Sequence, residues 1–199
     1  MLNWDIEKEQ TDKGYSIICG VDEAGKGPLA GPVTAAACIL PFEFNLPELK
    51  DSKMLSEKKR ERVYNEIVKN AVSWAYDFAS VEEIDALNIL NATMLAMRRA
   101  VEKLSPVPDI ALIDGNISRG FDIPTQTIIR GDTLSPSIAA ASIIAKVERD
   151  HMCIELDKLY PEYKIRRHKG YPTELHRALI RKYGASPLHR KSFLGFLSR

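Results

Sequence analysis

Acidic residues stand at the ends of three apolar segments of the chain, and this spacing is the feature of the sequence best suited to chemistry. The four acids are Asp22, Glu23, Asp114 and Asp132. Strand ends that meet at one edge of an open α/β sheet form the crevice in which such folds bind ligands. Four carboxylates gathered there repel one another, and a hard cation such as Mg²⁺ relieves the repulsion while leaving room for phosphate oxygens and water. The spacing therefore predicts phosphodiester hydrolysis with two metal ions about 3.5–4 Å apart, one to activate water and one to stabilise the leaving 3′ oxygen.

Each of these acids also has a plainer explanation when it is taken alone. An isolated Asp-Glu pair after a strand is most often an acidic turn exposed to solvent. Asp114 reads equally well as a turn residue before Gly115, and Asp132 as an acid that follows Gly131 near the start of a helix. The functional interpretation therefore depends on all four acids converging on one place.

A glycine-rich segment follows the first two acids. Gly25, Lys26 and Gly27 come directly after the Asp22-Glu23 pair and one alanine. Adjacent strand residues point to opposite faces, so the two acids can serve one site only if the strand leaves the sheet there, and glycine permits that exit. Two glycines around a lysine also let a backbone approach a phosphate or a sugar closely. The segment therefore predicts a substrate-binding turn beside the acids.

The elements that must position these residues alternate between strands and helices. Apolar runs predict strands at about 15–22, 33–40, 74–78, 110–113 and 125–129. Helices are predicted at 57–70 after Ser56, after a capping box at Ser80, at 88–104, after Ser135, after Thr173 and after Ser186. Three early strands, then two that alternate with helices, predict an α/β fold with a mixed sheet of undetermined strand order.

Length and composition are those of one ordinary domain. The chain has 199 residues, which fits a single domain over 1–199 with a C-terminal helical segment, about 160–199, packed on it. The formal net charge is only +1, so bulk charge does not indicate a nucleic-acid partner. Local basic clusters exist at 58–60, 166–169 and 177–199, although such runs are often just solvated surface.

Cysteine usage and hydropathy bear on location. The three cysteines, Cys19, Cys38 and Cys153, are few and odd in number, which suits buried, reduced thiols in the cytoplasm and not a disulfide framework. The first 13 residues are polar and do not read as a signal peptide, and no apolar run is long enough to span a membrane. We expect the apolar tail at 193–197 to pack on its own domain as a short helix, with partner docking as the alternative.

The segment Gly-Val-Asp-Glu-Ala-Gly-Lys-Gly-Pro-Leu-Ala-Gly-Pro-Val at 20–33 closely resembles the opening motif of type 2 ribonuclease H, or ribonuclease HII. Segments 113–116 and 131–147 resemble the motifs that carry the family's third and fourth metal-binding acids. The resemblance covers nearly the whole chain. It implies the ribonuclease H-like fold, with a five-stranded mixed sheet flanked by helices and extra C-terminal helices. It also implies that Asp22, Glu23, Asp114 and Asp132 are catalytic ligands of Mg²⁺ or Mn²⁺.

The resemblance also implies residues that contact the substrate. Besides Gly25, Lys26 and Gly27, these are Ser52, Lys53, Asn88 and Tyr171. Ser52 and Lys53 would hold backbone phosphate, although they also read as a polar lead-in to a helix. Asn88 would bring a helix N-terminus to a phosphate, and plain capping explains it nearly as well. Tyr171 lies in a segment, 168–173, in which the family packs a tyrosine against the ribose, and a core tyrosine is the alternative.

Two further segments match the family less clearly. The chain departs from the family's Gly-Arg-Gly turn because Lys26 stands in the place of arginine. Lysine offers one compact charge where arginine offers a planar fork for two phosphate oxygens, which puts the side-chain contact to phosphate in doubt. Residues 189–193 match the family's tail and are interpreted as packing or phosphate contact, with no catalytic role.

The function implied by the resemblance is that of an endonuclease. It would hydrolyse the phosphodiester on the 5′ side of a ribonucleotide, in RNA–DNA hybrids and in DNA with embedded ribonucleotides, giving 5′-phosphate and 3′-hydroxyl ends. We expect a monomer with no membrane partner. Three alternatives stay open: the sister ribonuclease HIII, whose N-terminal domain has no room before Asp22, a non-catalytic nucleic-acid binding module, and a two-metal enzyme that acts on plain DNA.

Overall fold

The structure is a computed structural model that describes residues 2–49 and 55–198. Its centre is one mixed five-stranded sheet in the order β3-β2-β1-β4-β5. The strands are β1 (Ile18–Ala24), β2 (Val33–Ile39), β3 (Ser73–Ala79), β4 (Ile110–Asp114) and β5 (Thr125–Ile128). Strands β1, β2 and β3 pair antiparallel, whereas β4 pairs parallel with both β1 and β5. The predicted α/β class with a mixed sheet is confirmed.

Helices surround this sheet, and most begin at a capping residue. They are α1 (Asp5–Asp12), α2 (Glu57–Asn70), α3 (Val81–Leu87), α4 (Ile89–Glu102), α5 (Pro136–Leu159), α6 (Ile165–His168) and α7 (Glu174–Tyr183). The hydroxyls of Ser56 and Ser80 each accept a main-chain N–H three residues ahead, and Ser80 forms the predicted capping box. Each cap satisfies an N–H that the first helical turn leaves without a partner.

The prediction of a helix directly after Ser186 is wrong. Over 186–198, which the structure describes, the chain forms two short 3₁₀ turns, Lys191–Phe193 and Gly195–Ser198. The tail nevertheless packs on the rest of the chain, since Phe193, Leu194 and Phe196 join a buried cluster with Leu29 and residues of α5, α6 and α7. The segment forms short turns because the main chain at Arg190 pairs with that at Leu29 instead of continuing as a helix.

Small side chains in the central strands let two helices close on the sheet. All seven residues of β2 are buried, with Ala35 and Ala37 on the α4 side and Ala36 and Cys38 on the α5 side. At Gly20 in β1 a Cβ would lie 2.0 Å from the main-chain carbon of Ser137. The first turn of α5 can contact β1 only because that position has no side chain, and this contact brings α5 alongside Asp22.

Two expectations on location are tested by the structure. Cys19, Cys38 and Cys153 are all buried free thiols, as predicted. Within 2–49 and 55–198, no helix combines the length and the apolar character that crossing a membrane requires.

Candidate active site

The parting of β1 and β4 creates an edge at which carboxylates gather. Parallel pairing between the two strands ends at Val21 and Ile113, while β1 stays paired with β2 as far as Ala24. The expectation that β1 leaves the sheet at Asp22 is therefore wrong. Instead, the strand loses only its β4 neighbour there, because β4 ends at Asp114 and the chain turns away at Gly115 with a φ of 107°. The open edge lets the side chains of neighbouring residues on β1 reach the same space.

A cavity of about 220 Å³ lies at this edge. Its lining contains three of the four predicted acids together with the predicted glycine turn and tyrosine. The lining residues are Asp22, Glu23, Ala24, Gly25, Lys26, Gly27, Asp114, Ser142, Lys146, Arg149 and Tyr171. Carboxylates from two strands, a basic turn and an aromatic ring thus share one cavity.

Asp22 carries the electrostatic signature of this site. Its side chain is buried, and burial raises its pKa well above the ordinary value, with further increases from the charges of Glu23 and Asp114. Hydrogen bonds from the Glu23 main-chain N–H, at 2.7 Å, and from Ser142 oppose the rise only in part. Mutual repulsion of this kind is the expected state of clustered carboxylates when no cation lies among them.

The turn that carries Asp132 is tied to Asp114. The main-chain N–H of Gly131 donates to Oδ1 of Asp114 at 2.6 Å. Asp132 follows in the 3₁₀ turn Gly131–Thr133, where it is buried. Asp132 lies next to the acidic edge but does not line the cavity. The structure therefore brings Asp22, Glu23 and Asp114 together and places Asp132 in the adjoining 3₁₀ turn.

The donors at this edge fit a divalent cation by their chemistry. Carboxylate oxygens are the ligands that Mg²⁺ and Mn²⁺ prefer, and the repulsion that raises the Asp22 pKa is what a cation would remove. Among the described residues, no group of three or more His, Cys, Asp or Glu side chains is already drawn together closely enough to hold a metal ion. The chain therefore supplies carboxylate donors at one edge of the sheet without a closed ligand set among the described residues.

Lys26 contacts one of these acids. Its Nζ lies 2.8 Å from Oε1 of Glu23, three positions back, and about half of the lysine side chain is exposed. The ammonium is thus shared between the acidic edge and solvent. A phosphate that approached the cavity would meet this charge directly.

Two buried arginines fix the glycine turn from behind. Arg149 lies against Gly25, where a Cβ would come within 1.9 Å of its Nε, and Gly25 has a φ of 96° that only glycine adopts without strain. Arg190 donates to four main-chain carbonyls, those of Gly25, Lys26, Gly31 and Pro32, at 2.7–3.0 Å. Burial lowers the pKa of Arg190 to about 9. Two carbonyls of the turn are thus anchored from within the protein, which sets the orientation of its main chain.

Tyr171 lies over the other end of the same turn. A Cβ placed on Gly27 would lie 3.7 Å from Cε1 of the tyrosine ring, and the ring is half exposed. Tyr171 is therefore not the core tyrosine that the sequence left as an alternative. The ring and the turn together form one wall of the cavity.

Other predicted contacts lie elsewhere. Asn88 is the N-cap of α4, where its Oδ1 accepts the main-chain N–H of Asn91 at 3.1 Å, and it does not line the cavity. Ser52 and Lys53 lie outside the described residues. For Asn88 the structure shows the capping arrangement that the sequence offered as the alternative, and its contact with phosphate stays a prediction.

Three cavity residues escaped the sequence reasoning, namely Ser142, Lys146 and Arg149 on α5. They stand at helical spacings of four and three, so they share one face of a helix that is otherwise apolar. A polar stripe on a buried helix was the available signal. It did not stand out because apolar residues fill nearly all sides of the first half of α5.

Comparison with known proteins gives consistent matches. A family model described as Ribonuclease HII matches residues 19–195. The Ribonuclease HII of Desulfitobacterium hafniense (strain DSM 10664 / DCB-2) is 56% identical over 187 residues, covering 94% of this chain and 72% of the relative. That of Caldicellulosiruptor saccharolyticus is 48% identical over 96% of this chain and 93% of the relative. Among solved structures, the PCNA:RNase HII complex from Archaeoglobus fulgidus gives a TM-score of 0.76 at 25% identity, covering 88% of this chain and 94% of that chain.

The sheet order, the flanking helices and these structural matches define the ribonuclease H fold. Because the family model spans most of its length and relatives reach 56% identity, the chain belongs to the ribonuclease HII family. Members of this family are type 2 ribonucleases H, hydrolases that act on phosphodiester bonds and depend on divalent metal ions.

Proposed function

We propose that this chain hydrolyses the phosphodiester on the 5′ side of a ribonucleotide, both in RNA–DNA hybrids and in DNA with embedded ribonucleotides. One observation carries the proposal: the Gly25–Gly27 turn and the Tyr171 ring line the same cavity as Asp22, Glu23 and Asp114. A ribose held against the turn and the ring would place an adjoining phosphate at the carboxylates. Sugar recognition and hydrolysis would then take place in one cavity.

Asp22, Glu23 and Asp114 would hold divalent ions, either Mg²⁺ or Mn²⁺, with Asp132 joining them from the neighbouring turn. Ions bound there supply activation of water and stabilisation of the leaving 3′ oxygen, which gives 5′-phosphate and 3′-hydroxyl ends. Ser142 holds the Asp22 carboxylate by a hydrogen bond. Lys26 and Lys146 contribute positive charge at the cavity wall, where the substrate phosphates would lie.

Selection for a ribonucleotide would come from the wall formed by the Gly25–Gly27 turn and the Tyr171 ring. The 2′-hydroxyl is the group by which a protein distinguishes RNA from DNA at one sugar. The carbonyls of Gly25 and Lys26 accept from Arg190, so the main chain of this turn has a set orientation in which its remaining groups can meet the hydroxyl. The aromatic face of Tyr171 would stack on the sugar of the same nucleotide.

The experiment uses end-labelled 20-base-pair duplexes that differ only at one position: all DNA, DNA with one ribonucleotide, and a full RNA–DNA hybrid. With Mg²⁺ or Mn²⁺ we expect cutting on the 5′ side of the ribonucleotide and none of the all-DNA duplex. Added chelator should stop cutting, and Mg²⁺ should raise the melting temperature because ions bind only the folded site. Equal cutting of all-DNA duplex would favour the alternative of a plain DNA nuclease, and binding without cutting would favour a non-catalytic module.

We also propose that the protein acts as a monomer in the cytoplasm. Three buried free thiols support a reducing compartment, because disulfides are rare where thiols are kept reduced. Sedimentation velocity with and without the single-ribonucleotide duplex measures the stoichiometry. A stable dimer in the absence of nucleic acid would contradict the monomer.

A further inference from the structure

Three buried histidines meet beneath the segment that carries Tyr171. His168, His176 and His189 are each less than a tenth exposed. The rings of His168 and His176 stack with centroids 4.2 Å apart, and Nε2 of His176 lies 3.2 Å from Nε2 of His189. The opposite nitrogen of His176, Nδ1, lies 3.0 Å from the main-chain carbonyl of Tyr171. The contacts form a continuous path from His189 to the tyrosine backbone.

The partners of these rings determine where each proton lies. A carbonyl only accepts, so His176 must donate to Tyr171 from Nδ1–H and keep Nε2 as an acceptor. His189 must then donate from Nε2–H, and its Nδ1 accepts the main-chain N–H of Ser186 at 3.1 Å. The chain of donors runs one way, from Ser186 through both histidines to the carbonyl of Tyr171.

Neutral imidazoles satisfy these contacts together. A proton added to Nε2 of His176 would face the Nε2–H of His189, and a proton added to Nδ1 of His189 would displace the Ser186 N–H and leave only the Ser186 hydroxyl, at 3.0 Å, to accept it. Two facing donors in a buried place cost a hydrogen bond and leave a charge without a counter-ion. Tyr163 packs its ring edge on His189, and His168 donates from Nε2–H to the Tyr163 carbonyl while its Nδ1 accepts the main-chain N–H of Gly170, as a neutral ring does.

The same short segment also reaches the glycine turn. Residue 189 forms a β-bridge with Ala30, and the next residue, Arg190, holds the carbonyls of Gly25 and Lys26. His189 and Arg190 therefore connect both halves of the cavity wall, the tyrosine through His176 and the turn through the guanidinium.

We propose that His176 and His189 are positioning residues that hold the main chain of Tyr171, and so the ring above Gly27, in the place where a ribonucleotide sugar would bind. This inference rests on the proposed function, because it assigns to Tyr171 the sugar contact. Neither histidine lines the cavity, so both act through the tyrosine and not on the substrate. The lowered pKa of each, about 4 as a result of burial, agrees with rings that stay neutral in use.

The first test compares two replacements of similar size. In His176→Asn the amide nitrogen takes the place of Nδ1 and can still donate to Tyr171, whereas His176→Leu cannot. We expect His176→Leu to lower cleavage at a single ribonucleotide by about tenfold or more, and His176→Asn to stay within about threefold of wild type. Duplex affinity, measured with chelator present, should change less than about twofold in both. Equal loss in the two variants would overturn the proposal.

The second test removes the Tyr171 ring, which His176 and His189 are proposed to hold in place. In a Tyr171→Ala background, His176→Leu should cost no further cleavage, because there is no ring left to misplace. Full additivity of the two losses would show that the histidine acts elsewhere and would overturn the proposal. A melting curve of each variant accompanies the rates. If His176→Leu fails to fold, His176→Gln, whose amide lies at the position of Nε2 and so no longer donates to the Tyr171 carbonyl, takes its place in the cycle.

The third test does not depend on cleavage. Long-range ¹H–¹⁵N spectra of wild type at pH 7 should show neutral rings, with the proton on Nδ1 in His176 and on Nε2 in His189. The opposite tautomers or charged rings would overturn the proposal. If wild type cuts no substrate, the proposed function fails, while the tautomers still decide whether the chain of hydrogen bonds exists.

Discussion

The two walls of the cavity are built in opposite ways. On the acidic wall, Asp22, Glu23 and Asp114 bring like charges together, and their mutual repulsion raises the pKa of Asp22. On the wall formed by the glycine turn and Tyr171, Arg190 donates to four main-chain carbonyls, two in the turn and two at Gly31 and Pro32. His176 links the Tyr171 carbonyl to His189 by a donor–acceptor pair on each ring nitrogen. One wall is electrostatically unbalanced, and the other is held mainly by hydrogen bonds to main-chain carbonyls.

The two walls therefore depend on different partners, a bound cation for the acidic wall and the protein's own hydrogen bonds for the other. Clustered carboxylates gain stability from a cation and are strained without one, so the acidic wall is completed by what it binds. The glycine turn and Tyr171 are held by hydrogen bonds from the protein itself, donated by Arg190 and His176 of the C-terminal segment. Changes to the acidic wall should therefore affect chemistry more than folding, and changes behind the loop should affect folding as much as chemistry.

The largest effect is expected from Asp114→Asn. Because loss of residues that merely support metal ligands already costs about 10–100-fold, loss of a ligand should lower cleavage at least about a hundredfold. The amide oxygen keeps the hydrogen bond from Gly131, and one repulsive charge disappears, so the apo melting temperature should stay level or rise. Asp122→Asn, at an exposed position, is the control. A clear fall in the apo melting temperature would make Asp114 structural.

Next comes Arg190→Met, which leaves four carbonyls without their buried donor. We expect the free energy of unfolding, measured in urea, to fall by about 3 kcal/mol or more, with cleavage falling as the loop loosens. Lys191→Ala, next to it on the exposed surface, keeps its main-chain hydrogen bond to Asp85 and should change stability by less than about 0.5 kcal/mol. Equal small effects in the two variants would contradict the role given to Arg190.

Alanine at the two glycines of the turn should separate folding from substrate contact. Gly25→Ala forces a φ of 96° on alanine and meets Arg149, so we expect a loss of about 2 kcal/mol in stability. Gly27→Ala has open space in the free protein, with only Tyr171 at 3.7 Å, and should leave the melting temperature unchanged. A cleavage loss at Gly27→Ala without a stability loss would show that substrate lies against that position. Wild-type cleavage would contradict close contact there.

A smaller effect is expected from pH. The folded pKa of His176 and His189, about 4, lies below the ordinary value of 6.5, so the unfolded chain takes up protons first as the pH falls. Their contribution to stability is complete above pH 6.5 and is lost between pH 6.5 and 4, by at most about 1.4 kcal/mol per pH unit for each histidine. Melting at pH 5, 6 and 7 should therefore show a shallower dependence in His176→Asn than in wild type. Parallel curves would contradict neutral buried rings.

The smallest effect is expected from Lys26→Arg. Recognition by the turn rests on its main chain, which Arg190 holds, while the Lys26 side chain is half exposed and pairs with Glu23. We expect no more than about a tenfold change in rate or affinity, roughly 1.4 kcal/mol, on single ribonucleotides relative to long hybrids. The comparison is made on both substrates side by side. If wild type ignored a single ribonucleotide and Lys26→Arg restored cutting, the side chain and not the backbone would determine specificity.

The local features of the fold could be predicted from the sequence because local physics determines them. Ser56 and Ser80 cap helices in the structure as their spacing predicts, and the apolar runs become the five strands. The sequence also identified the acids at the strand ends. Its error at Asp22 came from treating the end of an apolar run as the end of a strand, whereas the partner strand ended first.

The sequence by itself determined the carboxylates, the glycine turn, Tyr171 and the elements that carry them. Only the tertiary structure decided what holds the turn and the tyrosine. Arg190 and Gly25 lie 165 positions apart, and His176 finds its partners in a main-chain carbonyl and a distant ring. A main-chain carbonyl is the same at every residue, so nothing in the sequence marks which one a buried arginine or histidine will meet. That choice is made by how α7 and the tail pack against α5 and the loop that follows β1.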